Sequence, residues 1–151
     1  MTSATAIASP PFLLDAAQTA ARLPCAGLVE AITRLLNDST VHVPARQVLR
    51  LPGGGSLFLM PAFDAHTAIT KLITFTPANA GQGLPTIQGD VVVFDVASGQ
   101  RKLVLDGPTV TARRTAAVSL LAAQRLAPNR QGPLLIVGAG VQGKAHLEAF
   151  A

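Results

Sequence analysis

The stretch Leu134-Leu135-Ile136-Val137-Gly138-Ala139-Gly140-Val141-Gln142-Gly143 is an apolar run of four residues that breaks into a glycine turn and then into a helical pattern carried by Ala145, Leu147 and Phe150. Strand, G-x-G-x-x-G and helix in that order open a dinucleotide-binding βαβ unit. Gly138 and Gly140 let the backbone turn tightly and approach a pyrophosphate, whose charge is favoured by unpaired amides at a helix N-terminus, and Gly143 lets the helix pack close to the strand. A merely structural glycine turn is the competing reading, and the flanking strand and helix patterns weigh against it. The residue that separates NADH from NADPH, expected about 20 positions further on, falls after Ala151.

A chain of 151 residues is of single-domain size, and 49% apolar against 13% charged residues excludes a disordered chain. The balance of 12 Lys and Arg against 8 Asp and Glu gives +4, with the cations scattered. That excludes a nucleic-acid patch and leaves room for a pocket that holds a small anion. Cys25 stands alone, so no internal disulfide forms, and no Cys/His spacing indicates a metal site; a reducing cytoplasm is expected. Met1 to Phe12 reads as a loose tail rather than a signal peptide, and no apolar run approaches membrane-spanning length.

Along the chain, Asp15 caps a short helix through Arg22, and Pro24 starts a second with Leu28, Ile32, Leu35 and Leu36 on one face. Val41 to Leu51 has strand character and turns through Gly53-Gly54-Gly55 into Leu57-Met60, a hairpin. Ile69 to Phe75 is a further strand, followed by an exposed loop, Pro77 to Gly83. Thr86 to Asp95, nearly continuous in valine, reads as a strand covered on both faces, paired with Lys102-Leu105. Thr109 caps a helix reaching about Leu126, and Pro128-Gly132 breaks the pattern before the glycine motif. The segments expected are therefore a tail 1–12, an α/β domain 13–127, and a further unit opening at 133–151.

Lys71 lies within an apolar strand pattern, where it either points to solvent from an edge strand or has a buried role. Arg113 and Arg114 sit near a helix start, where the dipole disfavours cations, so an anion bound beside them would explain them. Arg46 alone is an ordinary exposed arginine. His42, His66 and His146 share no metal spacing and read as surface or packing residues; Ser119 reads as a helix residue and Cys25 as an inert thiol.

Met60-Pro61-Ala62, Thr70-Lys71-Leu72-Ile73-Thr74-Phe75, Leu105-Asp106-Gly107 with Thr111 to Ser119, and Gly138-Ala139-Gly140-Val141-Gln142, in this order and spacing, resemble the ornithine cyclodeaminase and mu-crystallin family from about Val43 onward. The resemblance implies an N-terminal α/β domain that binds substrate and forms a homodimer, followed by a Rossmann domain for NADH or NADPH. Of that second domain this chain would supply only the first βα unit, and alone it is expected to bind NAD(P) weakly or not at all and to leave Leu134 to Val137 an exposed apolar edge.

By the same resemblance, Arg46 in Pro44-Ala45-Arg46 matches an arginine that holds the substrate carboxylate. Lys71 matches the active-site lysine. Thr86 and Arg114 match positions near the cofactor, Arg114 also reaching the carboxylate, while Gly138, Gly140, Val141, Gln142 and Gly143 match the pyrophosphate loop. Thr70 to Phe75 and Thr111 to Thr115 look like the ketimine reductase branch, whereas cyclodeaminases tend to carry Lys-x-Val-Asn where this chain has Lys71-Leu72-Ile73-Thr74. The activity implied is reduction of Δ1-pyrroline-2-carboxylate to proline and of Δ1-piperideine-2-carboxylate to pipecolate. Cyclisation of ornithine to proline, alanine dehydrogenation, and a mu-crystallin-like binding role are the alternatives.

Overall fold

The computed structural model describes residues 12–151, so the expected tail lies outside the described residues except for Phe12. In chain order the elements are β1 (Phe12–Leu14), α1 (Ala16–Arg22), α2 (Cys25–Leu36), β2 (Gln47–Arg50), β3 (Ser56–Phe63), β4 (Thr67–Phe75), β5 (Ile87–Asp95), β6 (Arg101–Asp106), α3 (Gly107–Leu126) and α4 (Val141–Phe150). The strands form a six-stranded sheet of order β1-β6-β5-β4-β3-β2. From β2 to β6 every pairing is an antiparallel one between neighbours in sequence, and β1 closes the far edge parallel to β6.

Asp15 caps α1 through a reciprocal box with Gln18: each side chain takes the other residue's backbone N–H. The strand expected over Val41 to Leu51 is shorter, Gln47–Arg50, preceded by one bridge between His42 and Phe63. Pro44 interrupts it, because proline offers no donor to a ladder. Pro61 nevertheless sits within β3. The Phe63 N–H points away from β4, to the His42 carbonyl at 3.0 Å, so the missing N–H of Pro61, two residues earlier, falls on that same side, where β2 has already ended.

Among the described residues every helix lies on one side of the sheet. Leu14, Ile73 and Val91 from the sheet and Ala112, Ala116, Ala117 and Leu121 from α3 form the core, and α1, α2 and α4 all pack on α3. The valine run of β5 is thus not covered on both faces: Val91 is buried, Val92 and Val93 only half so. A run that reads as doubly covered needs a second layer, and the described residues provide one layer. Leu35 and Leu36 also stay exposed, so the last turn of α2 lies outside the apolar face expected of it.

The cap of α3 is Asp106, not Thr109; the Asp106 carboxylate accepts the Thr109 N–H at 2.8 Å and Pro108 occupies the first turn. Thr19 of α1, fully buried, locks this corner by donating to the Leu14 carbonyl at 3.3 Å and accepting the Asp106 N–H at 3.1 Å. Thr19→Val keeps the shape and strands both partners, so urea unfolding should show a loss of about 1–3 kcal/mol; a change under about 0.3 kcal/mol would show that the two bonds contribute nothing.

Leu134 to Val137 has no ladder partner among the described residues, so the strand expected there is not formed. Leu135 and Val137 are 85% and 90% exposed, the open apolar edge anticipated above. Strand pairing needs a neighbouring strand, and β-propensity alone does not supply one.

Candidate active site

Lys71 is on β4, an interior strand, between Met60 of β3 and Val91 of β5. The edge-strand reading is therefore excluded. Side chains alternate along a strand, so Lys71 shares the helix-bearing face with buried Ile73 and Val91. Its Nζ donates to Thr111 Oγ1 on α3 at 3.3 Å, and Thr111 Oγ1 donates to the Gly107 carbonyl at 2.7 Å. Burial, and then the positive charge of Arg114, hold the Lys71 amine below its ordinary value of 10.5. Arg114 follows Thr111 by three residues, on the same face of α3, with its guanidinium exposed.

The approach of α3 to β4 depends on two glycines. Gly89 has φ +139°, and a Cβ there would overlap the Leu72 carbonyl; a Cβ on Gly107 would lie 2.6 Å from the Gly89 carbonyl oxygen and 2.7 Å from Ile73 Cδ1. Helix and sheet meet here backbone to backbone, which brings Thr111 down to Lys71.

Arg46 stands one residue before β2, exposed, and no hydrogen bond holds its side chain among the described residues. The β2–β3 pairing ends at Gln47 with Leu59, and the next contact, the bridge of His42 with Phe63, is one residue out of that register, so no described pairing sets Arg46 opposite Met60. Thr86 is placed differently. It precedes β5, its carbonyl accepts the Thr76 N–H at 2.8 Å, and it lies five residues, about 17 Å, along the strand direction from Val91. No described contact joins it to Lys71. Arg113 is engaged elsewhere, its Nε donating to the Leu23 carbonyl at 2.9 Å and its guanidinium 3.5 Å from Glu148 of α4. The anion expected to explain Arg113 is thus unnecessary, and Arg114 alone of the pair faces the lysine.

Gly138 has φ +106°, a Cβ on Gly143 would overlap the Gly138 carbonyl, and Gly140 caps α4 with no side-chain bond. The amides of Val141, Gln142 and Gly143 have no hydrogen-bond partner among the described residues, whereas Lys144 N already donates to the Gly140 carbonyl at 3.0 Å. A left-handed glycine, a cradle that any side chain at Gly143 would fill, and three free amides at a helix start fit a pyrophosphate. His146 Nδ1–H donates to the Gln142 carbonyl at 2.7 Å, and Nε2 is hydrogen-bonded to the Ser119 hydroxyl at 2.9 Å. His146 thereby ties the helix behind the loop to α3, the packing role expected of it. Cys25 is half-buried, and no metal-ligating cluster occurs among the described residues. No described helix is long and apolar enough to cross a membrane.

Thr111 was not among the candidate residues that the sequence indicates. Its one signal is its position a helical turn before Arg114 on the same face.

A Δ1-pyrroline-2-carboxylate reductase of Burkholderia multivorans is 42% identical over 97% of this chain and 47% of its own length. The structure of Thermococcus litoralis Δ1-pyrroline-2-carboxylate reductase in complex with NADH and L-proline superposes with a TM-score of 0.80 at 26% identity, covering 91% of this chain and 44% of that one. An archaeal alanine dehydrogenase dimer with bound NAD also gives 0.80 at 26%, covering 93% and 44%. The chain spans about half the length of the curated relatives it matches. The model of the ornithine cyclodeaminase/mu-crystallin family matches residues 16–151, and the chain belongs to that family.

Proposed function

We propose that the protein carrying this chain is an NAD(P)H-dependent reductase of cyclic imino acids, converting Δ1-pyrroline-2-carboxylate to L-proline and Δ1-piperideine-2-carboxylate to L-pipecolate. The observation that carries this reading is Lys71 on an interior strand, facing Thr111 and Arg114 on the helix-bearing side of the sheet. A desolvated lysine beside a second cation suits an anionic substrate whose nitrogen must receive a proton.

Arg114 and Arg46 converge on the substrate carboxylate from α3 and from the approach to β2, and the planar fork of a guanidinium pairs with both carboxylate oxygens. Lys71 hydrogen-bonds the ring nitrogen and supplies its proton, a transfer favoured by the lowered affinity of the amine for that proton. Gly138 to Gly143 would hold the dinucleotide pyrophosphate on the free amides of Val141, Gln142 and Gly143, and Thr86 is the further residue assigned to the cofactor. When bound, NADH or NADPH supplies the hydride to the imine carbon.

On this reading residues 13–127 form the substrate-binding and dimerisation domain and 133–151 open the Rossmann domain, in a cytoplasmic homodimer. The sheet face without helices exposes Leu13, Leu49, Phe63 and Leu72, the surface that a second copy would cover. The archaeal alanine dehydrogenase dimer supports that assembly.

The test is turnover by the protein expressed from the complete reading frame. Steady NAD(P)H consumption with either cyclic imine, with light scattering at twice the protomer mass, is the expected result. Ammonia release from ornithine with catalytic NAD would replace the reading by cyclodeamination, consumption of pyruvate and ammonia by alanine dehydrogenation, and tight ligand binding without turnover by a binding role.

A further inference from the structure

We propose that Thr111 is a positioning residue that fixes which vertex of the Lys71 amine faces the substrate, an inference that rests on the proton-donor reading of Lys71. A threonine hydroxyl has one proton, and Thr111 commits it to the Gly107 carbonyl at 2.7 Å. Towards Lys71 Nζ, 3.3 Å away, the hydroxyl oxygen can therefore only accept. One N–H of Lys71 is held by Thr111 and cannot be the proton that leaves. Once a proton has been given up, the lone pair cannot turn towards Thr111, because no donor is there. It stays on the open side, where Arg114 stands and where a substrate nitrogen would lie.

The position is built from two directions. Thr111 is half-buried on the first turns of α3, its hydroxyl anchored to the turn before it, and the Gly89–Gly107 contact sets the height of that helix above β4. Packed around Lys71 are Met60, Val91 and Ile73, all apolar, and the charged group that acts on it is Arg114. Among the described residues no carboxylate bonds to Lys71, so its hydrogen bonding is determined by Thr111 alone.

The experiment compares Thr111→Val, which keeps the shape and removes the acceptor, with Thr111→Ser, which restores it. The hydroxyl favours the charged amine, so Thr111→Val should lower the Lys71 titration midpoint and move the alkaline limb of the kcat profile to lower pH. In the enzyme from the complete reading frame kcat should fall about tenfold, with KM for the imine changing less than threefold and Thr111→Ser recovering most of kcat. The 151-residue chain gives a readout independent of turnover. Lys71, Lys102 and Lys144 are its lysines, so the Cε carbon signals can be followed individually; Lys71 alone should shift in Thr111→Val. An unchanged Lys71 titration in a folded Thr111→Val chain, or a Thr111→Ser variant as impaired as the valine, would overturn the proposal. A shifted titration in a protein that does not reduce imines would leave Thr111 in its role and remove the reductase reading instead.

Discussion

Lys71→Met in the enzyme from the complete reading frame is expected to lower kcat/KM for Δ1-pyrroline-2-carboxylate by about 10²- to 10³-fold, the range for losing a positioned proton donor, and at the same time to raise the melting temperature. The two effects have one cause. A lysine half-withdrawn from water, between Met60 and Val91 and near Arg114, is a cost to the fold, and methionine of similar length fills the same space without it. The sign can be read from pH as well. The folded-state amine titrates below 10.5, so the cost of holding it charged is fully present below the folded value and is relieved as pH rises from there to 10.5. The stabilisation by methionine should therefore shrink across that same window. Lys71→Arg separates charge from proton transfer: it keeps the positive charge beside the ring nitrogen but no group that gives up a proton near neutral pH, so it should be as inactive as methionine. Activity within a few fold of wild type in Lys71→Met would exclude Lys71 as the donor.

What was legible in the sequence was local, and what was not depended on contacts between distant residues. The Asp15 cap, the turn at Gly53 to Gly55 and the glycine loop are set by neighbours within a few positions, and each is found where its pattern lies. Lys71 stood out because its charge broke an apolar period. Thr111 carried no such mark, because its importance is a bond to a residue 40 positions away, and the same holds for Thr19 and Asp106, 87 apart. The start of α3 was misplaced because both Asp106 and Thr109 make good caps; Pro108, suited to a first turn, favours the earlier one. Leu134 to Val137 shows the converse limit. A strand is a relation between two segments, and an apolar run states only one of them. Arg46, one residue outside β2, is brought to Lys71 by no described pairing, so its place beside the lysine rests on the family resemblance alone.

The largest structural effect is expected at Gly89, which no motif singled out. Gly89→Ala should destabilise the chain by about 3 kcal/mol or more, lowering the melting temperature by about 10 °C or more. Two terms add. At φ +139° the alanine backbone is strained wherever it sits, and its Cβ would overlap the Leu72 carbonyl of β4, which cannot move without breaking the β4–β5 ladder. Gly99→Ala is the control that separates them: its φ is +69° with nothing within 4 Å, so it should cost about 1 kcal/mol from strain alone. Gly107→Ala isolates the other term. It has no positive φ, yet its Cβ would stand 2.6 Å from the Gly89 carbonyl oxygen and 2.7 Å from Ile73 Cδ1, so α3 must rise from the sheet. That lift would stretch the Lys71–Thr111 bond beyond hydrogen-bonding reach, so a folded Gly107→Ala chain should show the same Lys71 titration shift as Thr111→Val. If Gly107→Ala cost no more than Gly99→Ala and left the Lys71 titration in place, the close seating of α3 on β4 and β5 would not be what brings the site together.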